Sequence, residues 1–155
     1  MTTTETDTQW QHLTERWQEL ADFSGIGALL GWDQSTFLPA GAAGDRSRQQ
    51  SLLAGLRHAR ATDAEYGKLL DAAARRSDLS PEQTRMVQVA RQDFEKATRL
   101  PAEFVREFSG HVGQSYSAWT EARPANDFGR MVPYLEKTLD LSLQAASYFP
   151  EFADP

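Results

Sequence analysis

Three histidines, His12, His58 and His111, are the only neutral nitrogen ligands that this sequence offers to a metal. A catalytic zinc ion commonly takes two histidines one helical turn apart together with a carboxylate. None of the three belongs to an H-x-x-x-H or H-E-x-x-H pattern. Each is therefore expected to face solvent or to make a single hydrogen bond, and no metal or other cofactor is expected. The chain has no cysteine, which excludes thiolate zinc, iron–sulfur clusters, cysteine nucleophiles and a disulfide framework. Serine chemistry has no G-x-S-x-G motif to rest on, and Ser109 precedes His111 by a spacing at which helical side chains do not face each other. Glu103 and Glu107 form a carboxylate pair, but without a cleft such a pair is a solvated helix face. Gly25, Gly27 and Gly31 give G-x-G-x-x-x-G, which has dinucleotide-binding meaning only between a strand and a helix. Here the glycines fall in a helical stripe, where they permit close helix crossing.

The elements that must position these residues are helical. Trp10, Leu13, Trp17, Leu20, Ser24, Ala28 and Gly31 recur every three or four residues, predicting a long first helix capped by Thr6, Asp7 or Thr8 and ending near Trp32. Pro39, Gly41 and Gly44 predict a loop of about ten residues after it. A second helix is expected over 45–60, and Thr62-Asp-Ala-Glu65 reads as a capping box opening a third, to about Arg76. Ser80-Pro-Glu-Gln83 is the clearest start signal, for a helix burying Met86, Val87, Ala90, Phe94 and Ala97. Leu100-Pro101 interrupts it. Pro101 then opens a helix with the stripe Phe104, Phe108, Val112, Ser115 and Trp119. Pro124, Asn126 and Asp127 mark a turn. The last helix follows Pro133, through Leu135, Leu139, Ser142 and Ala146 to about Tyr148, with coil beyond. No segment alternates as a strand would. The fold class is all-α: an antiparallel bundle of about six helices without a sheet, one domain over 1–155 with about 8–149 ordered.

At 155 residues the chain is long enough for one domain with a substantial core. Its 16 basic against 22 acidic residues leave a formal charge of −6, which argues against a phosphate-tracking nucleic-acid binder. The acidic start does not resemble a secretory signal, and the longest apolar run, 25–32, is too short to cross a membrane. A cytoplasmic protein is the expectation. The four tryptophans suit core packing, or an exposed patch for a partner.

Three segments together resemble a known family. Leu29-Leu-Gly-Trp-Asp-Gln-Ser-Thr-Phe-Leu-Pro-Ala-Gly41, followed by Arg46 and Gln49, resembles the L-L-x-W-D-x-x-T-x-x-P-x-G signature of the carboxypeptidase Taq family. Ala90-Arg-Gln-Asp-Phe-Glu-Lys-Ala-Thr-Arg-Leu-Pro101 resembles its R-R-D-Y-x-x-A-T-R-L-P segment. Ala118-Trp-Thr-Glu-Ala-Arg123, Asn126-Asp-Phe128 and Pro133-Tyr-Leu-Glu-Lys137 resemble its W-x-x-A-R-x-x-N-D-F and P-Y-L-E-K blocks. Order and spacing agree from about Trp10 to Phe149.

The resemblance implies the N-terminal helical segment of a zinc metallocarboxypeptidase family whose members are largely helical and commonly homodimeric. The family's H-E-x-x-H motif lies beyond the matched region, so no catalytic or metal residue is carried over. The family-like residues expected to serve contacts are Trp32, Asp33, Gln34, Thr36, Pro39, Arg99, Trp119, Arg123 and Asp127. Asp33 is open to two readings, a turn former at a helix end or part of a contact surface. The expectation is a non-catalytic interaction module, a homodimer or a partner of a full-length carboxypeptidase of the same family. The alternatives are a residual peptidase recruiting a metal, or a truncated fragment. Apolar surface that meets the catalytic portion in the family should be exposed here.

Overall fold

The computed structural model describes residues 3–150. Among them are six α-helices and no strand: α1 (Thr3–Thr36), α2 (Ala43–Ala61), α3 (Ala64–Ala74), α4 (Pro81–Arg99), α5 (Ala102–Ala125) and α6 (Val132–Ser147). The all-α expectation holds. The chain divides into two compact units, the first comprising residues through Ile26 with Leu56–Thr98, the second Gly27–Gly55 with residues from Arg99 onward.

In the first unit Leu13, Tyr66, Leu70, Ala73 and Val87 form the core, with Trp10 and Trp17 half-buried against it. Trp10 and Trp17 meet edge to face at 5.8 Å, and Trp17 Nε1 donates to Tyr66 Oη at 3.2 Å. Buried indole and phenol groups thus keep a partner while their rings supply apolar area. Burial pushes the Tyr66 phenol above its ordinary pKa, and the Trp17 hydrogen bond opposes that shift. The predicted capping box of α4 is present in both directions: Gln83 N donates to Ser80 Oγ at 3.2 Å, and Ser80 N donates to Gln83 Oε1 at 2.9 Å. For α3 the cap is Asp63 rather than Thr62. Its carboxylate accepts from Glu65 N at 3.0 Å and from Arg16 at 3.1 Å, whereas the Thr62 hydroxyl donates back to the His58 carbonyl. A carboxylate reaches the free amides of the first turn and also favours the positive helix end, so Asp63 outcompetes the neighbouring threonine.

Several boundaries differ from expectation. Helix α1 contains Thr6–Thr8 rather than being capped by them, and it continues to Thr36. Ser35 and Thr36 hydroxyls donate to the Trp32 carbonyl, and Phe37 and Leu38 amides donate to the Asp33 carbonyl, so the last turns are satisfied locally. The predicted ten-residue loop shrinks to residues 37–39 and a 3-10 turn, Ala40–Ala42. Pro101 stands at the N-cap of α5, not inside its first turn. Helix α5 runs through Pro124 and ends in a Schellman motif: Asn126 is left-handed at φ 51°, its amide bonds to Arg123 O, and Asp127 N bonds to Ala122 O at 3.0 Å.

In the second unit the helix faces are rotated from those predicted. The buried side of α5 carries Phe104, His111, Gly113, Ala118 and Ala122, while Val112 and Trp119 are exposed. On α6 the buried residue is Leu141, with Tyr134, Ala145 and Tyr148 half-buried, and the predicted Leu135 and Leu139 are exposed. In α1 the stripe beyond Leu20 passes through Gly27 and Leu30 instead of Ala28 and Gly31. A Cβ on Gly27 would lie 3.6 Å from Leu53, an ordinary packing distance, and Gly25 and Gly31 face open space, so the close crossing expected at these glycines is not found. In α4, Met86 is half-exposed instead of buried.

Candidate functional site

The family-like residues fall into two clusters, both in the second unit. The first is built on the end of α1. Arg46, near the start of α2, is buried, and its guanidinium donates to the Leu30 carbonyl and to the Asp33 carboxylate, with a further bond from Nε to Gln49 at 3.1 Å. The negative end of a helix favours a cation, and the planar fork of arginine serves a carbonyl and a carboxylate at once. Gln34 is the second tie. Its Oε1 accepts from Gln50 at 2.8 Å and its Nε2 donates to the Gly113 carbonyl at 3.4 Å, joining α1, α2 and α5. Gly113 permits this approach, because a Cβ there would stand 2.7 Å from Gln50 Oε1 and 2.9 Å from Ser47 Oγ. Asp33 is thus a helix-end residue held by Arg46, the first of its two readings. Thr36 caps the same end through the Trp32 carbonyl, and Pro39 accepts from Ala42 N to start the 3-10 turn. Trp32 is the large apolar side chain of this cluster that points outward, 57% exposed, edge to face with Phe37 at 5.4 Å.

The second cluster lies at the junction of α5 and α6. Trp119, Arg123 and Asp127 line a shallow cavity of about 290 Å³ with Phe128, Met131 and Leu135. Asp127 Oδ1 accepts from Arg130 N at 3.1 Å and fixes the turn before α6. Trp119 and Phe128 are exposed large apolar side chains, and Leu135, Leu139 and Leu143 extend the same character along α6 at four-residue spacing. Arg99 joins neither cluster; its guanidinium lies 5.5 Å from the Phe149 ring centre.

Sequence reasoning missed Arg46 as the anchor, Gln50 and Gly113 as the partners of Gln34, and the outward leucines. The R-x-x-Q spacing of Arg46 and Gln49 carries a signal for the first; the leucines read as core because only one apolar face was expected.

The histidines do not converge. His111 is buried, with Nε2 2.9 Å from Thr138 Oγ1 and 3.2 Å from Ser115 Oγ, and His58 is buried as well. Both are buried rather than solvent-facing because they lie on the packed sides of α5 and α2, and His111 has two hydroxyls within hydrogen-bond reach instead of the single bond expected. Glu107 pairs with Lys137, so the Glu103–Glu107 pair is broken up by a cation. Among the described residues no three His, Asp or Glu side chains are placed to share a metal ion, and no helix is long and apolar enough to cross a membrane.

The family-like residues thus make two structures: a hydrogen-bonded junction at the end of α1, and an exposed aromatic and leucine surface at the turn between α5 and α6. Comparison with known proteins supplies the family. The model of the carboxypeptidase Taq (M32) metallopeptidases matches residues 12–154, and the chain belongs to that family. It is 32% identical to thermostable carboxypeptidase 1 of Thermus thermophilus over 88% of this chain and 28% of the relative. Against the Pyrococcus furiosus thermostable carboxypeptidase 1 the identity is 30%, over 83% of this chain and 26% of the relative. The crystal structure of the M32 carboxypeptidase from Deinococcus radiodurans R1 is 92% identical, covering 96% of this chain and 30% of that one, with a TM-score of 0.73. The chain thus spans under a third of the length of these relatives.

Proposed function

We propose that these 155 residues act as a non-catalytic docking module of the carboxypeptidase Taq family, seating the outer faces of α5 and α6 against protein supplied by a family carboxypeptidase and so modulating peptide hydrolysis. The observation that carries this reading is the two-sided apolarity of α6. Leu141 is 1% exposed on one side, while Leu135, Leu139 and Leu143 are 48%, 60% and 63% exposed on another. A helix that is apolar on opposite sides belongs between two layers of protein, and exposed patches of this kind mark interaction surfaces. Membership of a family whose relatives are more than three times as long supports a carboxypeptidase as the source of the second layer. The sequence contains no H-E-x-x-H motif, in keeping with a contribution through contact.

The test mixes the chain with a full-length family carboxypeptidase and follows co-elution on size exclusion together with release of C-terminal residues from a peptide. Co-elution with an altered rate is expected. Absence of co-elution with unchanged rates overturns the reading, and a doubled mass of the chain alone assigns the face to a second copy, the homodimer, instead.

A further inference from the structure

The first unit carries a separate open groove of about 780 Å³ between α1 and α4, floored by Tyr66 and Phe94. Its α1 wall is Trp17, Leu20, Ala21 and Ser24, at spacings of three, four and seven residues, and so a single helical face two turns long. Its α4 wall runs three turns through Met86, Val89, Ala90 and Ala97, of which Met86 and Val89 are exposed large apolar side chains. Two apolar helical faces bordering one open groove are the kind of surface that the helix-in-groove mode of recognition uses. The rim has a charge opposite to that of the chain. Arg57, Arg85 and Lys96 border the groove against Asp93 alone, in a protein of formal charge −6. Arg57 is steered by a hydrogen bond to Ser24 Oγ at 3.1 Å, which leaves its charge at the edge of the groove.

We propose that this groove is a docking site for an acidic amphipathic helix, whose apolar face packs between Leu20 and Val89 and whose carboxylates meet Arg57, Arg85 and Lys96. An apolar seam supplies affinity, and the cationic rim selects acidic over basic partners and sets the orientation. The surface belongs to helices that the α5–α6 docking face does not use.

The test uses the 155-residue chain and two fluorescein-labelled helical peptides of about five turns. Both carry leucine on one face; the polar face is glutamate in one and lysine in the other. Fluorescence anisotropy is expected to show binding of the glutamate peptide and at least about tenfold weaker binding of the lysine peptide, the preference shrinking in high salt. The double variant Arg85→Glu/Lys96→Glu should reverse the preference. Val89→Glu should remove binding of both peptides, with the helical circular dichroism unchanged. Equal affinity for the two peptides, no binding of either, or binding of the glutamate peptide that survives Val89→Glu overturns the proposal.

Discussion

Arg46, one turn into α2, reaches back to the Asp33 carboxylate in the last turns of α1, and the same guanidinium bonds the Leu30 carbonyl. One buried side chain thereby pairs the charge near the end of the longest helix and adds a second donor to a carbonyl of its last two turns. Because Arg46 is buried and Asp33 only half-buried, the arginine carries the larger desolvation cost and depends on both acceptors for compensation.

Replacing Arg46 with methionine should lower stability by about 1–2 kcal/mol, since it removes the cation facing the partly solvated Asp33 carboxylate and a second donor to the Leu30 carbonyl. Arg46→Lys should recover less than half of that, because an ammonium cannot serve two acceptors with a planar fork. Asp33→Asn, which keeps an acceptor oxygen, should cost about 1 kcal/mol. Urea unfolding midpoints at constant m-value measure all three; an Arg46→Met protein as stable as the parent would remove the arginine from the role assigned to it.

Glycine positions separate packing from conformational entropy. Gly113→Ala sets a methyl group 2.7 Å from Gln50 Oε1 and 2.9 Å from Ser47 Oγ, so both side chains must move and the Gln50–Gln34 bond is disturbed, at a cost of about 1–3 kcal/mol. Gly31→Ala adds the same methyl group to α1 where nothing stands within 4 Å, and it should stabilise by about 0.5–1 kcal/mol through helix propensity. Thermal unfolding of the two variants in parallel should move the midpoint in opposite directions.

The sequence disclosed whatever depends on near neighbours. The Ser80–Gln83 box needs only four residues to recognise, and it is present with both of its bonds. The helix order and the break at Leu100-Pro101 rest on equally local rules. What did not transfer was the choice of face. In α5 the periodicity is satisfied almost equally by Val112 and Trp119 or by His111, Ala118 and Ala122. The larger apolar residues won on paper, while the second unit buries the smaller ones because they let helix axes approach. The same one-residue slip recurs in α6, where Leu141 and not Ser142 is inside. A helix apolar on two sides has no single phase that hydrophobicity can pick out. For the site, Asp33 was visible as a motif residue, but its use required Arg46, thirteen positions away on another helix.

Acid stability should report on the α3 cap. Donation from Glu65 N, and then the Arg16 guanidinium, hold the Asp63 carboxyl below the ordinary carboxylate range. A carboxyl with a lowered folded pKa contributes its full stabilisation above the unfolded value, roughly pH 4, and loses it as pH falls through the folded value. Asp63→Asn retains an acceptor for the Glu65 amide and removes only the charge facing Arg16 and Arg60. The parent should melt higher than the variant at neutral pH, with the gap closing as pH falls through the lowered folded value. A gap that is constant over that range would mean that the charge contributes nothing.

The outward leucines of α6 provide the sharpest contrast between folding and association. Leu135, Leu139 and Leu143 are exposed, whereas Leu141 is fully enclosed, so neighbouring positions on one helix should respond differently to the same chemical change. Leu141→Ala should cost about 2–4 kcal/mol from lost burial and a residual cavity. The triple variant Leu135→Gln/Leu139→Gln/Leu143→Gln should change the stability of the isolated chain by less than about 1 kcal/mol, since surface substitutions away from packed features are near neutral. Yet the triple variant should abolish co-elution with a family carboxypeptidase, because glutamine at the centre of an apolar interface buries amides without partners. Co-elution undiminished in the triple variant would remove the α6 face from the docking role. A triple variant that unfolds the free chain would instead show that these leucines already belong to its core.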